Sequence, residues 1–156
     1  MKYLALLFLS CIAAGAFAQE DSVQQRIILI GHGGEMHNGK NPVIDAVRRN
    51  IDLNKGKNTV LFLGDNVYPL GLPDPAAKNF DEARFILDYQ VSLVKDTKAE
   101  GIFVPGNHDW SKHRPEGWRQ IRNQQHYIDS LLLPNVNFLP KDGCPGPIPV
   151  PLGDDV

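Results

Sequence analysis

Three short apolar runs alternate with longer segments of mixed polarity along the chain. The runs cover residues 26–30, 59–63 and 102–104, and each is bounded by glycine or polar residues. Their length and their β-branched side chains are typical of strands. Because apolar residues occupy successive positions and not alternate ones, we expect parallel strands that are buried on both faces.

The segments between these runs predict helices. The first begins after Asn41, a good capping residue, with Pro42 in the first helical position, and residues 55–57 end it. The second is predicted from about residue 81 to 99 and the third from about 116 to 133. Their apolar stripes are Ile44, Val47 and Ile51; Ala83, Ile86, Leu87, Val91 and Val94; and Trp118, Ile121, Ile128, Leu131 and Leu132.

The resulting order, β-α-β-α-β-α, predicts an α/β fold with a mostly parallel sheet and right-handed crossovers. The loops that follow the three strands therefore open on one rim of the sheet. One glycine-framed polar loop is ordinary turn chemistry, but three of them, each after a buried strand, indicate a functional rim. The polar side chains concerned are His32, Asp65, Tyr68, Asn107, His108 and Asp109. Such oxygen and imidazole donors suit iron, manganese, magnesium or zinc.

Composition narrows the classes of function. The 156 residues are enough for one domain with a core, and the formal net charge is −2. The chain has no block of basic residues, so binding of nucleic acid through phosphate neutralisation is not expected.

Residues 1–18 resemble an export signal, followed by a polar lead over residues 19–25. Lys2 precedes an apolar run, and Ala16-Phe17-Ala18 is the pattern that signal peptidase cleaves. Lipoprotein processing at Cys11 is the alternative, and simple cleavage is favoured. We therefore expect an exported protein: periplasmic, secreted or associated with the outer membrane. Cleavage leaves Cys144 as the only cysteine, either a free thiol or half of a bridge to another molecule.

Two blocks carry a resemblance to a known family. Gly64-Asp65-Asn66-Val67-Tyr68 and Gly106-Asn107-His108-Asp109 resemble signature blocks of the calcineurin-like metallophosphoesterases, and the tyrosine three residues after the aspartate resembles the purple acid phosphatase branch. The resemblance implies a phosphoric ester hydrolase for a small phosphorylated substrate. It also implies an αββα sandwich with two metal ions, Fe, Mn or Zn, at the strand ends.

The same resemblance implies a role for each of the matching residues. Asp65 would bridge both metals and Tyr68 would bind the ferric ion. Asn107 would bind the second metal, and His108 would contact the substrate or its leaving group. A bridging carboxylate suits two cations that lie ~3.5–4 Å apart.

The chain also departs from the family pattern. His32 stands where a metal-binding aspartate is expected, and two hypotheses stay open: it binds metal, or it is a loop residue. Glu35 or His37 would replace it only if the glycine-rich loop folds back. The family's two later histidine blocks have no counterpart before Val156.

Residues 26–156 are therefore expected to form the N-terminal half of the sandwich, truncated at its C-terminal end, with little or no activity alone. A missing C-terminal part would be one route to association with the envelope. The alternative function is a non-catalytic binding or structural module that keeps the fold without a competent metal site.

Overall fold

The computed structural model describes residue 23, residues 25–143 and residues 146–151. The predicted signal peptide, its two alternative processing sites and Cys144 lie outside these residues. Four strands and three helices alternate: β1 (Gln25–Ile30), α1 (Pro42–Asn50), β2 (Lys57–Leu63), α2 (Phe80–Val91), β3 (Glu100–Val104), α3 (Gly117–Ser130) and β4 (Val136–Phe138). Two short 3-10 turns cover Ser111–His113 and Lys141–Gly143.

The strands form one parallel sheet in the order β1-β2-β3-β4, which confirms the mixed α/β fold. Leu29 lies beside Leu61, and Leu61 beside Ile102. The three predicted strands are therefore neighbours, and their carboxyl ends meet at one edge as expected. The fourth strand was not predicted because it is only three residues long.

The predicted start of α1 is confirmed. The Asn41 side chain accepts hydrogen bonds from the backbone N–H groups of Val43 and Ile44, at 3.0 Å each. These two bonds satisfy N–H groups that have no partner within the helix. Pro42 occupies the first turn, where its missing N–H costs nothing.

The predicted ends of α1 and α2 were wrong. Helix α1 ends at Asn50, because Ile51 is already extended and Leu53 turns back into the core. Helix α2 ends at Val91, eight residues before the predicted end. The chain continues there in turns, and the Asn135 side chain binds three of their carbonyl groups. An amide 36 or more residues away in sequence thus satisfies carbonyl groups of the turns that follow α2.

The prediction that β1 is buried on both faces was also wrong. Ile28 and Ile30 are buried, whereas Ile27 and Leu29 are 46% and 59% exposed. Because the strands follow one another in chain order, right-handed crossovers carry every helix to the same face of the sheet. That face holds the core, where the rings of Phe62 and Phe103 stack 4.2 Å apart. Along the described part of the chain, no helix has the length and apolar character needed to cross a membrane.

Candidate metal centre

The loops after β1, β2 and β3 contact one another at the carboxyl edge of the sheet. The Gly34 N–H donates to the backbone oxygen of Asp65 at 2.9 Å, and the His108 N–H donates to Asp65 Oδ1 at 3.0 Å. Asp65 therefore lies between the other two loops, and it is 7% exposed.

Three ligand-type atoms lie within hydrogen-bonding distance of each other at this point. His32 Nδ1 is 2.5 Å from the Tyr68 hydroxyl oxygen, which lies 3.1 Å from Asp65 Oδ2. The remaining distance, from His32 Nδ1 to Asp65 Oδ2, is 3.3 Å. Ligand atoms bound at right angles to one cation, at bond lengths of ~2.1 Å, lie about 3 Å apart. The three atoms therefore fit neighbouring positions around a single metal ion.

The phenol is essential to this set. Across the described residues, no three His, Cys, Asp or Glu side chains come close enough to hold a metal ion. Glu35 and His37 do not join the set, because their exposed side chains pair with each other at 3.7 Å. Of the three candidates in the glycine-rich loop, only His32 contacts Asp65 and Tyr68.

The third loop brings His108 close but leaves Asn107 at the surface. His108 Nδ1 lies 2.7 Å from the backbone oxygen of Pro69. Because a carbonyl oxygen can only accept, Nδ1 carries the hydrogen and Nε2 is free. The His108 ring lies 4.2 Å from that of Tyr68. The Asn107 side chain is exposed and makes no hydrogen bond to any described residue.

Backbone conformation is unusual at two of these positions. His32 and Asp65 have φ angles of 52° and 54°, in the left-handed region. Aspartate and histidine visit this region more readily than most residues, at a cost on the order of 1 kcal/mol. Gly34 permits the close approach of the first loop, since a Cβ there would lie 2.6 Å from the Asn66 backbone oxygen. Unfavourable geometry of this kind concentrates at functional sites.

Burial and the nearby carboxylates favour the neutral form of the Tyr68 phenol. Burial, followed by the hydrogen bond to Asp65, raises the pKa of Tyr68 to about 12. The negative charges of Asp65, Glu35 and Asp109 act in the same direction. Tyr68 therefore needs a nearby cation before it can act as a phenolate ligand near neutral pH.

Asp109 does not face the rim, contrary to the prediction. It is fully buried, and its carboxylate accepts hydrogen bonds from the backbone N–H groups of Asn66, Val67 and Gly106 and from Gln124 Nε2. Burial raises the pKa of the Asp109 carboxyl above its usual value, although the four hydrogen bonds act in the opposite direction. The sequence could not separate it from the rim residues, because it directly follows His108.

The model of the calcineurin-like phosphoesterase family, Metallophos, matches residues 26–146, a range that includes all three loops. The chain belongs to this family. Calcineurin-like phosphoesterases are generally hydrolases of phosphoesters and typically use a dinuclear metal centre. Comparisons with curated proteins and with solved structures give no match.

Two glutamines of this calcineurin-like phosphoesterase support the site and were missed by the sequence analysis. Gln90 of α2 donates to the Asn66 backbone oxygen at 2.7 Å, and Gln124 of α3 donates to Asp109. Both are fully buried. Each lies three residues after an apolar position of its helix, Leu87 or Ile121, and thus on the buried stripe. An amide on an apolar stripe needs a buried partner, which is the signal that would have identified them.

Proposed function

We propose that this chain is a purple acid phosphatase-like phosphoesterase that hydrolyses a small phosphorylated substrate, and not nucleic acid, with two metal ions. The observation that carries the proposal is the contact of His32 Nδ1, the Tyr68 hydroxyl and Asp65 Oδ2 within 2.5–3.3 Å of one another. An imidazole, a phenol and a carboxylate form a donor set that suits ferric iron.

In this proposal His32, Tyr68 and Asp65 would hold the first metal. Asp65 and the side-chain oxygen of Asn107 would contribute ligands to the second. A bound pair of Fe, Mn or Zn ions would supply an acidified water as nucleophile and would stabilise negative charge on the phosphoryl group.

The chain's own residues would bind the metals and orient the substrate. Tyr68 would lose its hydroxyl proton to solvent if it became a ligand. His108 presents Nε2 to the substrate, because Nδ1 is held by the Pro69 carbonyl. A protonated His108 would donate from Nε2 to a phosphoryl or leaving-group oxygen.

We also propose that residues 26–156 are the N-terminal part of the domain, that the protein is exported, and that a further part associates with the envelope. The exposed side chains of Ile27, Leu29 and Leu63 support the first of these, because a second sheet of a sandwich would cover that face. The signal-like residues 1–18 support export.

The test is the visible absorption of the chain after loading with Fe³⁺, since a phenolate bound to ferric iron absorbs visible light. We expect a band for the wild type that Tyr68→Phe removes. Tyr89→Phe is the matched control, because the Tyr89 hydroxyl also donates to a carboxylate, that of Asp45, but on α1 and α2. Hydrolysis of p-nitrophenyl phosphate is measured on the same samples. A band that survives Tyr68→Phe would contradict the assignment of Tyr68.

A non-catalytic binding module is the second candidate. It is favoured by the side chain of His32, which is 68% exposed and replaces the expected aspartate. Under this hypothesis the purified chain holds no Fe, Mn or Zn after dialysis against each metal. Metal analysis of wild type and Asp65→Ala separates the two candidates, since only a true site gives a difference.

A further inference from the structure

Asp109 is a charged side chain whose burial the phosphoesterase chemistry does not explain. Full burial keeps it from touching substrate or solvent, although it directly follows His108. A carboxylate is rarely this buried unless it is paired with a cation. Here no cation contacts it among the described residues, and four N–H groups satisfy it.

The four donors come from three separate segments of the fold. Asn66 and Val67 lie in the loop after β2, at 3.0 Å each from the carboxylate. Gly106 lies in the loop after β3, at 2.8 Å, and Gln124 lies on α3, at 2.9 Å. One side chain therefore joins the loop that carries Asp65 and Tyr68 to the loop that carries Asn107 and His108.

A second carboxylate makes the reverse connection. Asp65, in the loop after β2, accepts the N–H of His108, in the loop after β3. Between the two carboxylates the backbones of Gly64 and Gly106 touch, since a Cβ on Gly64 would lie 2.6 Å from Gly106 Cα. We call this arrangement of Asp65, Asp109, Gly64 and Gly106 the loop clasp.

The two carboxylates of the loop clasp have different surroundings. Asp65 faces the rim, where its Oδ2 contacts Tyr68 and His32. Asp109 faces the interior and has no atom free for a ligand. Its bonds to Asn66 and Gly106 limit how far the two loops can move apart, which is what a fixed Asp65-to-Asn107 spacing requires.

We propose that Asp109 is a positioning residue that holds the two metal-binding loops in register. It acts through the backbone of residues adjoining Asp65 and Asn107, and not by contact with metal or substrate. This role rests on the proposed function for its purpose, but the loop clasp itself can be tested without metal.

The experiment measures amide hydrogen exchange by NMR in wild type and Asp109→Asn. Asparagine keeps one acceptor oxygen and replaces the other with an amide nitrogen that cannot accept. We expect exchange to accelerate by tenfold or more at the amides that lose their acceptor: Asn66 and Gly106 where the nitrogen replaces Oδ2, or Val67 where it replaces Oδ1. The decisive amide is that of His108, which donates to Asp65 and not to the Asp109 side chain; its exchange should accelerate as well, because this bond needs the loops in register. An unchanged rate at His108 would overturn the proposal.

Asp88→Asn is the matched control. Asp88 is a carboxylate of α2 that accepts the hydroxyl hydrogen of Tyr127 on α3, away from the rim. This variant should leave the four loop amides at wild-type rates. If Asp109→Asn does not fold, Gln124→Leu removes one of the four donors, and threefold or faster exchange at His108 is then expected. An unchanged His108 rate in Gln124→Leu would overturn the proposal in that case.

A Mn²⁺ titration separates this proposal from the proposed function. Loss of a residue that orients ligands weakens metal binding by roughly 10–100-fold, so Asp109→Asn should raise the Kd for Mn²⁺ by at least tenfold and Asp88→Asn should not. Equal Kd values in wild type and Asp109→Asn would overturn the positioning role. Absence of Mn²⁺ binding by the wild type would count against the proposed function, and the exchange rates would still decide the loop clasp.

Discussion

His32 stands where the resemblance to the family leads us to expect a metal-binding aspartate, and we propose that it is a ligand and not a simple loop residue. Its Nδ1 lies 2.5 Å from the Tyr68 hydroxyl and 3.3 Å from Asp65 Oδ2, although its side chain is largely exposed. The left-handed backbone of His32 costs on the order of 1 kcal/mol, and a histidine that was only a solvated loop residue would have no interaction to offset that cost. Imidazole is neutral when it binds metal, so a metal site that includes His32 would carry one negative charge fewer than the same site with an aspartate.

We predict that His32→Ala weakens binding of Fe³⁺ or Zn²⁺ by at least tenfold, because it removes one of three converging donors. Isothermal titration calorimetry measures this change. His37→Ala is the control, since His37 lies in the same loop but its side chain pairs with Glu35. If His32→Ala and His37→Ala bind metal equally well, His32 is a loop residue.

At the scale of elements, the sequence was sufficient for what depends on local chemistry. Asn41 and Pro42 predicted the start of α1, and three apolar runs predicted three neighbouring parallel strands. The predicted end of α2 was wrong because the segment that follows it depends on a distant partner. Asn135 binds carbonyl groups of that segment from 36 or more residues away. Asp109 was misplaced for the same reason, since its partners come from the loops after β2 and β3 and from α3.

The hydrogen bond from Tyr127 on α3 to Asp88 on α2 gives a prediction that depends on pH. Burial, followed by the hydrogen bond to Asp88, raises the pKa of Tyr127 to about 12, whereas an unfolded tyrosine has a pKa of 10.0. The neutral phenol therefore stabilises the fold fully below pH 10, and this contribution is lost as pH rises from 10 to 12.

Tyr127→Phe should lower the free energy of unfolding at pH 7 by about 1 kcal/mol, through loss of this hydrogen bond. It should also reduce the further loss of stability between pH 10 and 12. Urea denaturation at pH 7, 9, 10 and 11 measures both effects. A variant whose stability falls between pH 10 and 11 as steeply as the wild type's would show that Tyr127 does not titrate as described.

On the scale of the whole molecule, the described helices pack on one face of the sheet, and the described residues leave much of the other face exposed. All helices lie against the core face, while Ile27, Leu29 and Leu63 are exposed on the opposite face. Ile148 and Val150 cover only the part of this face near Leu61 and Ile102, where a cavity of about 360 Å³ remains. Exposed apolar surface of this kind is typical of an interface that another segment or another protein covers.

The open face therefore predicts that the chain binds the apolar dye anilinonaphthalene sulfonate while it is natively folded. The double variant Leu29→Gln, Leu63→Gln should reduce the dye fluorescence by half or more. Stability should change little, by about 0.5 kcal/mol per site, because both side chains are already exposed. Leu132→Gln is the control, since Leu132 is 86% exposed but follows α3 and is not part of the sheet. Equal fluorescence of the double variant and the wild type would mean that this face is covered in solution.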